Sequence, residues 1–379
     1  MDAEGAALVH DVKRHVLFLI PNLKGGGAER VIVTLLKHLD RSKFRLSLAV
    51  VDIRGAVFLD QIPDDVEFID LGCKRVRNAL PRIVMLIWRR RPDVMFSTLG
   101  HLNLALAMIR RFLPEKIRHV ARETTVLSYG QQTYRFSKLW KRFTRRYYNR
   151  VDLLICQSKG MQQNLVNNFL FPQEKMVVIH NPVDTDFILD EIDKPNDLGE
   201  KDEDLVYLVA AGRLVPEKGF DLLIEAAAML RNPHVRFDIL GEGPLLDDLK
   251  QLAQLKGVDK QVRFVGFQSN PYAWFARADG FVLSSRYEGF PNVVLEALTC
   301  GAPVIATPAP GGIREILDDM PECLLANDVS AEALAKAVSD WRAGSRKRVP
   351  DTAIKPYGLE RIIGQYEAVL LSTGTITVR

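Results

Sequence analysis

The sequence has 379 residues, of which 47% are hydrophobic and 26% are charged. This composition excludes a mainly disordered chain, and the length favours two domains. The apolar runs are far shorter than a bilayer span and the first residues lack the basic region of a signal peptide, so we expect no transmembrane helix and a cytoplasmic protein. The four cysteines are widely separated, which predicts neither a zinc site nor disulfides.

Charge is distributed unevenly along the chain. Residues 1–180 carry 30 Lys and Arg against 16 Asp and Glu, a net charge of +14, whereas residues 181–379 carry 21 against 31, a net charge of −10. Such a difference indicates that the two halves face different partners. No nucleic-acid-binding pattern accompanies the basic residues, so we expect no nucleic-acid partner.

One basic stretch, KLWKRFTRRYYNR at 138–150, has apolar residues at 139, 140, 143 and 147, which is helical spacing. We interpret it as a basic amphipathic helix that contacts an anionic membrane surface. The alternative is a solvated helix whose aromatic side chains enter the core. The side chains predicted to contact the membrane are Lys138, Lys141, Arg142, Arg145 and Arg146.

The first half alternates apolar strands with amphipathic helices. This alternation, with nearly continuous apolar strands, predicts a parallel sheet covered by helices on both faces. The predicted strands are His15–Ile20, Arg45–Val51, Val66–Ile69, Val94–Ser97, Ile117–Ala121, Leu153–Cys156 and Met176–His180. The predicted helices are Ala28–Leu39, Arg82–Arg90, Leu102–Phe112 and Lys159–Phe169.

The alternation stops at a turn around Asn181–Asp184 and an acidic segment at 190–204, which we interpret as an exposed excursion near a domain boundary. It resumes with strands Val206–Ala211, Arg236–Leu240, Val262–Val265, Gly280–Leu283 and Pro303–Ala306, and helices Phe220–Leu230, Leu245–Leu255, Pro271–Arg277, Asn292–Cys300, Ile313–Leu317 and Ala331–Trp341. The sequence therefore predicts two doubly wound α/β domains, 1–182 and 183–356, with a ligand cleft at the carboxyl ends of their strands.

Three consecutive glycines, Gly25, Gly26 and Gly27, follow the first predicted strand and precede a helix. Glycines there let the backbone approach a phosphate or a sugar and expose amides at a helix N-terminus. A flexible turn is an equally good interpretation. The pattern is not GxGxxG and no Walker lysine follows, which disfavours NAD and P-loop nucleotides.

Two cations, Arg213 and Lys218, flank a short turn after the first strand of the second half. Together with helix-end amides they suit a diphosphate, although a surface loop with ordinary charges is the alternative. Gly241 belongs to a further glycine-rich turn after the next strand, in the predicted cleft wall.

The segment EGFPNVVLE, residues 288–296, carries two carboxylates around a helix start. Pro291 suits the first helical position, with Glu288 in the loop before it and Glu296 one turn inside the helix. The carboxylates suit sugar and ribose hydroxyls, and the amides of residues 290–293 suit a departing phosphate. A carboxylate pair is also typical of glycosidases, which the adjacent cations disfavour.

Several of these segments together resemble one family. GGGAER, AGRLVPEKG, LGEGP, VRFVGF and EGFPNVVLEALTCGAPVIAT followed by GG occur in order over residues 15–320. The chain resembles the retaining, GT-B-fold glycosyltransferases of family 4, also called glycosyl transferases group 1. The resemblance implies two facing Rossmann-like domains and a last helix, near Leu359–Leu371 within residues 357–379, that crosses back to pack on the N-terminal domain.

The resemblance also implies roles for individual residues. Arg213 and Lys218 bind the donor diphosphate and stabilise the leaving group, Glu288 contacts the transferred sugar, and Glu296 binds the nucleotide ribose. The reaction retains the anomeric configuration without a protein nucleophile, a metal or another cofactor. The other donor-binding residues are Gly25, Gly26, Gly27, Gly241, Phe267, Gln268, Phe290, Pro291, Asn292 and Val293.

One feature departs from the family pattern, and a second motif belongs to a different glycosyltransferase fold. Many relatives carry a histidine near the sugar where this chain has Arg122 and Glu123, so we name those two and His101 as candidates for the acceptor or sugar side. Asp184-Thr185-Asp186 is a literal DxD, the metal-binding signature of the GT-A fold. Its place in the interdomain turn disfavours that interpretation.

The leading hypothesis is a hexosyltransferase at the cytoplasmic face of a membrane. It moves a hexose or N-acetylhexosamine from a nucleotide diphosphate donor, with UDP favoured over GDP, to a polyprenyl-diphosphate-linked saccharide in polysaccharide or glycan assembly. One alternative is a sugar-nucleotide 2-epimerase of the same fold, which would convert a lone UDP-N-acetylhexosamine. The other is a non-catalytic nucleotide-sugar-binding scaffold.

Overall fold

The structure is a computed structural model that describes residues 13–130, 137–194, 198–199, 201–343 and 348–372. The chain start, the tail after Ser372 and part of the predicted acidic excursion lie outside the described residues. Among the described residues, no helix combines the length and the apolarity that crossing a membrane requires.

The N-terminal domain contains a seven-stranded parallel sheet in the order β3-β2-β1-β4-β5-β6-β7. Its strands are β1 (Arg14–Asn22), β2 (Phe44–Asp52), β3 (Glu67–Asp70), β4 (Val94–Thr98), β5 (Arg118–Arg122), β6 (Leu153–Cys156) and β7 (Met176–Val178). Its helices are α1 (Gly27–His38), α2 (Val76–Arg90), α3 (Gly100–Ile109), α4 (Leu127–Gly130), α5 (Ser137–Tyr147) and α6 (Lys159–Phe169).

The C-terminal domain contains a six-stranded parallel sheet in the order β10-β9-β8-β11-β12-β13. Its strands are β8 (Val206–Ala211), β9 (Val235–Leu240), β10 (Val262–Gly266), β11 (Gly280–Leu283), β12 (Val304–Ala306) and β13 (Leu324–Leu325). Its helices are α7 (Thr185–Ile192), α8 (Phe220–Leu230), α9 (Leu246–Leu255), α10 (Tyr272–Arg277), α11 (Asn292–Thr299), α12 (Ile313–Leu317) and α13 (Ala331–Ala343). A last helix, α14 (Leu359–Leu371), ends the described chain.

Burial explains why the strands are so apolar. Every residue of β1 between its two ends is buried, and so is every residue of β4. Helices on both faces of a parallel sheet leave no solvent-facing side, so the strands are continuous rather than alternating in hydrophobicity. The prediction of two doubly wound α/β domains is confirmed.

Both sheets reverse their strand order at a central pair of strands. The reversal lies between β1 and β4 in the first sheet and between β8 and β11 in the second. In doubly wound folds, ligands bind at the carboxyl ends of the strands at this point. The glycines after β1, the cations after β8 and Glu288 after β11 all follow one of these strands.

Helix α14 crosses back onto the N-terminal domain, as predicted. Its residues Ile362, Ile363, Tyr366, Val369 and Leu370 belong to the same core as β1, β2 and α1. Burying this apolar face against the first sheet stabilises the helix there. Arg118, which donates to the Val369 carbonyl at 2.7 Å, adds a polar contact to the same domain.

The chain passes between the domains twice along adjacent paths. Val183 and Gly358 form an isolated parallel bridge, and the Val183 amide donates to the Tyr357 carbonyl at 2.9 Å. The two crossings therefore form one connection, and the domains meet along it.

Some elements differ from the sequence prediction. Helix α2 begins at Val76 instead of Arg82 and contains Pro81, whose missing N–H is offset by burial of Ala79, Ile83 and Ile87 on its inner face. Helix α7 directly follows the predicted turn and includes the beginning of the predicted excursion. The prediction omitted α7 and the short α4 and β13. Elements of two to four residues carry too little periodicity to be recognised.

Candidate active site

Lys218 and Glu288 form an ion pair at the carboxyl ends of the two central strands of the second sheet. Lys218 Nζ lies 2.6 Å from Glu288 Oε1, and the side chains are 24% and 11% exposed. Ser285 Oγ donates to the same oxygen at 2.6 Å. Two donors fix this carboxylate, so a charged pair faces the cleft in a defined geometry.

The backbone around this pair is tightly built. Gly219 follows the short 3-10 turn Pro216–Lys218 in a left-handed conformation (φ 63°), and a Cβ there would lie 2.1 Å from the Ser284 carbonyl oxygen. Ser284 Oγ in turn donates to the Lys218 carbonyl at 2.9 Å. The loop after β8 is thus held against the loop after β11, which brings Lys218 to Glu288.

Helix α11 starts beside this pair at Asn292, the first residue of the predicted range, so Pro291 precedes the first helical position instead of occupying it. Pro291 is its N-cap, makes no side-chain capping bond, and is followed by Asn292 and Val293 in the first turn. Phe290 is buried against His180, with ring centroids 4.9 Å apart. The first amides of the helix have no intrahelical partners, and the N-terminus carries partial positive charge. An anion at this helix end would be stabilised.

Arg213 lies at the cleft surface. Its side chain is 73% exposed, and its guanidinium is 3.6 Å from Glu217. Burial raises the pKa of Glu29 in α1 of the N-terminal domain, and the positive charge of Arg213 partly opposes that rise. This exposed guanidinium has room to turn towards a phosphate.

Glu296 contacts the opposite domain. Its carboxylate accepts a hydrogen bond from the Arg30 guanidinium of α1 at 2.9 Å, and the same nitrogen lies 3.4 Å from the Tyr272 hydroxyl. Glu296 is 14% exposed and Arg30 is 44% exposed. The carboxylate raises the pKa of Arg30 above its ordinary value. Glu296, the residue predicted to bind the ribose, is therefore hydrogen-bonded to the N-terminal domain.

The glycine loop faces the start of α11. Gly25 has a left-handed φ of 92°, which favours glycine, and a Cβ on Gly26 would collide with the Glu29 carboxylate. The Gly27 carbonyl accepts from Asn292 Nδ2 at 3.4 Å. The structure thus brings Gly26 and Gly27 to the cleft beside α11.

The other predicted donor residues follow β9 and β10. Gly241 packs so closely that a Cβ there would lie 2.0 Å from the Gly212 carbonyl oxygen, so no larger residue fits. Phe267 is 68% exposed, and Gln268 beside it is half-buried. An exposed aromatic ring at the carboxyl end of a strand offers a surface on which a base can stack.

The candidates for the acceptor side differ in accessibility. His101 is exposed in the first turn of α3. Arg122 and Glu123 are fully buried, which places them beneath the cleft surface. Arg122 Nη2 donates to Asn181 Oδ1 at 2.5 Å, and Tyr148 Oη donates to Glu123 at 2.8 Å. Burial raises the pKa of Glu123 to about 7.

Loops of the two domains touch directly at the site. A Cβ on Gly289 would lie 2.2 Å from the Thr124 carbonyl oxygen, and one on Gly160 would lie 2.6 Å from the Gly311 carbonyl oxygen. The Gly160 amide also donates to Glu315 at 2.8 Å. The residues next to Glu288 therefore abut the segment that follows Glu123.

The basic stretch at 138–150 begins with α5, as predicted. Trp140 and Tyr147 pack against the domain core, whereas Leu139 and Phe143 are exposed, so only some of the apolar side chains of the helix are covered by the domain. Arg145 donates to the Asn168 carbonyl at 2.9 Å. Of the other residues predicted to contact the membrane, Lys138, Arg142 and Arg146 are exposed and Lys141 is half-buried.

Asp184 of the DxD triplet has a structural task. It is the N-cap of α7, and its side chain accepts from the Phe187 amide at 3.1 Å. An N-cap carboxylate also interacts favourably with the helix dipole. The triplet thus begins a helix at the interdomain turn.

Sequence reasoning gave no role to three residues of the cleft: Arg30, Ser285 and Asn181. Arg30 is the last residue of the quoted GGGAER segment and Ser285 precedes the quoted EGFP segment, so their positions offered a signal. Asn181 lies in the recognised turn, where its amide donates to Asn292 and, at 3.4 Å, to the Phe290 carbonyl. No local pattern announces such long-range partners.

Comparisons with known proteins agree with this geometry. The family model described as glycosyl transferases group 1 matches residues 190–351, and that of glycosyltransferase family 4 matches residues 25–187. The chain belongs to the group 1, family 4 glycosyltransferases, which confirms the resemblance. It is therefore a transferase of sugars.

Individual relatives cover most of the chain. A curated N-acetylgalactosamine-N,N'-diacetylbacillosaminyl-diphospho-undecaprenol 4-alpha-N-acetylgalactosaminyltransferase of Campylobacter jejuni is 30% identical over 79% of this chain and 82% of its own. The lipopolysaccharide core biosynthesis glycosyltransferase LpsE of Rhizobium meliloti is 29% identical over 69% and 78%.

Solved structures share the fold. Anabaena Alr3699/HepE in complex with UDP superposes with a TM-score of 0.74 at 20% identity, covering 94% of this chain and 99% of that one. A glycosyltransferase from Rickettsia africae superposes with a TM-score of 0.76 at 17% identity, covering 95% and 98%. At these identities the likeness is one of fold alone.

Proposed function

We propose that this protein transfers a hexose or N-acetylhexosamine from a UDP-sugar to a lipid-linked saccharide. The observation that carries the proposal is the Lys218–Glu288 pair at the start of α11, where β8 and β11 end. A cation, a helix N-terminus and a carboxylate meet there, which suits a diphosphate joined to a sugar. The Anabaena protein was solved with UDP and with UDP-glucose.

Each charged group has a task in the proposed reaction. Lys218, Arg213 and the first amides of α11 bind the diphosphate and stabilise the charge that develops as it leaves. Glu288, fixed by Lys218 and Ser285, accepts hydrogen bonds from hydroxyls of the transferred sugar. Glu296 accepts hydrogen bonds from the ribose, and Phe267 stacks on the base.

The proposed transfer proceeds with retention. The bond between the anomeric carbon and the diphosphate breaks, and the acceptor oxygen bonds that carbon on the same face. The acceptor proton passes to the leaving diphosphate, so no protein nucleophile and no metal take part. Lys218 and Arg213 supply the positive charge that a metal provides in other transferases.

The proposed acceptor is a saccharide on a polyprenyl diphosphate. The Campylobacter jejuni relative is named for such a substrate, a diphospho-undecaprenol. The exposed Leu139 and Phe143, beside the basic residues of α5, suit the interface of an anionic membrane. Trp88 and Phe112 form a second exposed aromatic pair of the N-terminal domain, in which Trp88 Nε1 donates to the Phe112 carbonyl at 2.9 Å.

Thermal unfolding with UDP, GDP and NAD, each with and without EDTA, tests the donor. A ligand that binds only the folded protein adds about 2.7 kcal/mol at a hundredfold excess over its Kd. We expect a stabilisation by UDP that EDTA leaves unchanged. A response to GDP alone would move the donor to a GDP-sugar, and a loss of the response in EDTA would contradict the metal-free reaction. Conversion of a lone UDP-N-acetylhexosamine would indicate an epimerase. Thermal stabilisation by a nucleotide without any sugar transfer would indicate a scaffold.

Flotation with anionic liposomes tests the membrane surface. Glutamine at positions 138, 141, 142, 145 and 146 should weaken binding in low salt, because each basic residue near an anionic surface contributes about 1 kcal/mol. Unchanged binding would refute the membrane contact. The matched control removes five positive charges from the C-terminal domain, at Arg231, Lys250, Lys256, Lys260 and Lys336.

A further inference from the structure

We infer that Arg30 is a positioning residue for the donor ribose: it holds the Glu296 carboxylate from the opposite domain, so nucleotide affinity depends on α1. The inference rests on the proposed function, in which Glu296 binds the ribose hydroxyls. Arg30 Nη1 lies 2.9 Å from Glu296 Oε1 and 3.4 Å from the Tyr272 hydroxyl.

The contact arises from two helix faces in register. Gly27 and Arg30 lie three residues apart in α1, and Asn292 and Glu296 lie four residues apart in α11, so each pair shares one helix face. Asn292 Nδ2 donates to the Gly27 carbonyl at 3.4 Å, one turn away from the Arg30–Glu296 contact. Two contacts between the same two faces fix the separation and the rotation of the helices.

Tyr272 completes the support around Arg30. It is buried, and its ring packs edge-on against Phe187 and Phe275 at centroid distances of 6.1 and 6.4 Å. Its hydroxyl is therefore a fixed acceptor for the guanidinium. The same nitrogen, Arg30 Nη1, contacts Tyr272 and Glu296, so Tyr272 helps to fix the nitrogen that orients the carboxylate.

The contact gives Glu296 a defined place in the cleft. Arg30 Nη1 donates to Glu296 Oε1 at 2.9 Å, which holds the carboxylate where it can accept hydrogen bonds from the two ribose hydroxyls. Because Arg30 belongs to α1 and Glu296 to α11, the ribose is recognised only where the two domains meet.

The test compares UDP with 2′,3′-dideoxy-UDP by isothermal titration calorimetry. Arg30→Ala should weaken UDP binding about fivefold, or about 1 kcal/mol, and should change dideoxy-UDP binding less than twofold. Arg30→Lys should recover part of the loss. Lys37→Ala is the matched control, since it removes one positive charge from α1 at an exposed position where Lys37 Nζ donates to Gln61 at 3.2 Å.

The outcomes separate this inference from the proposed function. Equal losses for both ligands in Arg30→Ala, or no loss for either, would overturn the role of Arg30. Equal losses for both ligands in Glu296→Gln would overturn the ribose assignment itself. If UDP does not bind at all, the proposed base is wrong, and the series is repeated with GDP and 2′,3′-dideoxy-GDP. Arg30→Met keeps the apolar stem and replaces the alanine variant if that variant unfolds.

Discussion

Replacing Glu123 with glutamine should remove a pH-dependent destabilisation of the fold. Glu123 is fully buried at the end of β5, and burial raises its pKa to about 7 from the ordinary 4.5. The folded protein therefore keeps this proton up to about pH 7, while the unfolded chain loses it above 4.5. Stability falls as the pH rises between these values, and above pH 7 the full difference applies, about 3 kcal/mol.

Glutamine carries no ionisable proton and can still accept the hydrogen bond from Tyr148. From pH 5 to pH 8 the linkage relation predicts that the free energy of unfolding of Glu123→Gln rises by about 2.5 kcal/mol relative to that of the unsubstituted protein. Urea unfolding followed by circular dichroism measures it at each pH. The buried His119, whose pKa is lowered to about 3, gives an opposite pH slope, but equally in both proteins.

The exposed Glu174→Gln is the control, and its difference from the unsubstituted protein should stay flat between pH 5 and 8. A constant difference for Glu123→Gln over the same range would refute the argument, because it would mean that the buried carboxyl ionises as it does in the unfolded chain.

Three other changes test separate features. Gly289→Ala puts a Cβ 2.2 Å from the Thr124 carbonyl oxygen, so the loop must move and transfer activity should fall more than tenfold; a fully active variant would contradict the close interdomain contact. Leu370→Ala should cost roughly 3 kcal/mol in urea unfolding, because this side chain of α14 is fully buried; a cost below 1 kcal/mol would mean that α14 does not anchor the domain. Asp184→Ala should cost about 1 kcal/mol in urea unfolding through loss of the cap on the Phe187 amide. Neither this substitution nor EDTA should change nucleotide affinity, whereas both would lower it if Asp184 held a metal.

The fold was predictable because its strands are buried on both faces. The run at β1 is continuous in apolar residues, which no alternating or helical pattern matches, and the same holds for β4 and β11. Helix boundaries were harder. The predicted start of α2 at Arg82 falls just after Pro81, whereas the helix begins at Val76, because its buried face offsets the one hydrogen bond that proline cannot make.

The charged groups of the site were predictable because each follows a central strand. Lys218 and Glu288 were named from their places after β8 and β11, and the structure brings them to 2.6 Å. Their tasks in the reaction stay predictions. Arg30 and Glu296 are 266 residues apart, and their contact depends on how two domains pack. No periodicity within either helix encodes it.

Arg122 shows why such long-range contacts matter for the cleft. It is fully buried, its Nε donates to Tyr366 of α14 at 3.1 Å, and its Nη2 donates to Asn181 between the domains. Asn181 in turn donates to Asn292 at the start of α11, and Asn292 to Gly27. A buried guanidinium is costly unless its donors are used. Nε and Nη2 of Arg122 are used in this way, whereas its buried Nη1 has no hydrogen-bond partner among the described residues. The crossover helix, the interdomain turn and the two cleft loops therefore share one hydrogen-bonded path, so α14 supports the donor site although it packs on the other domain.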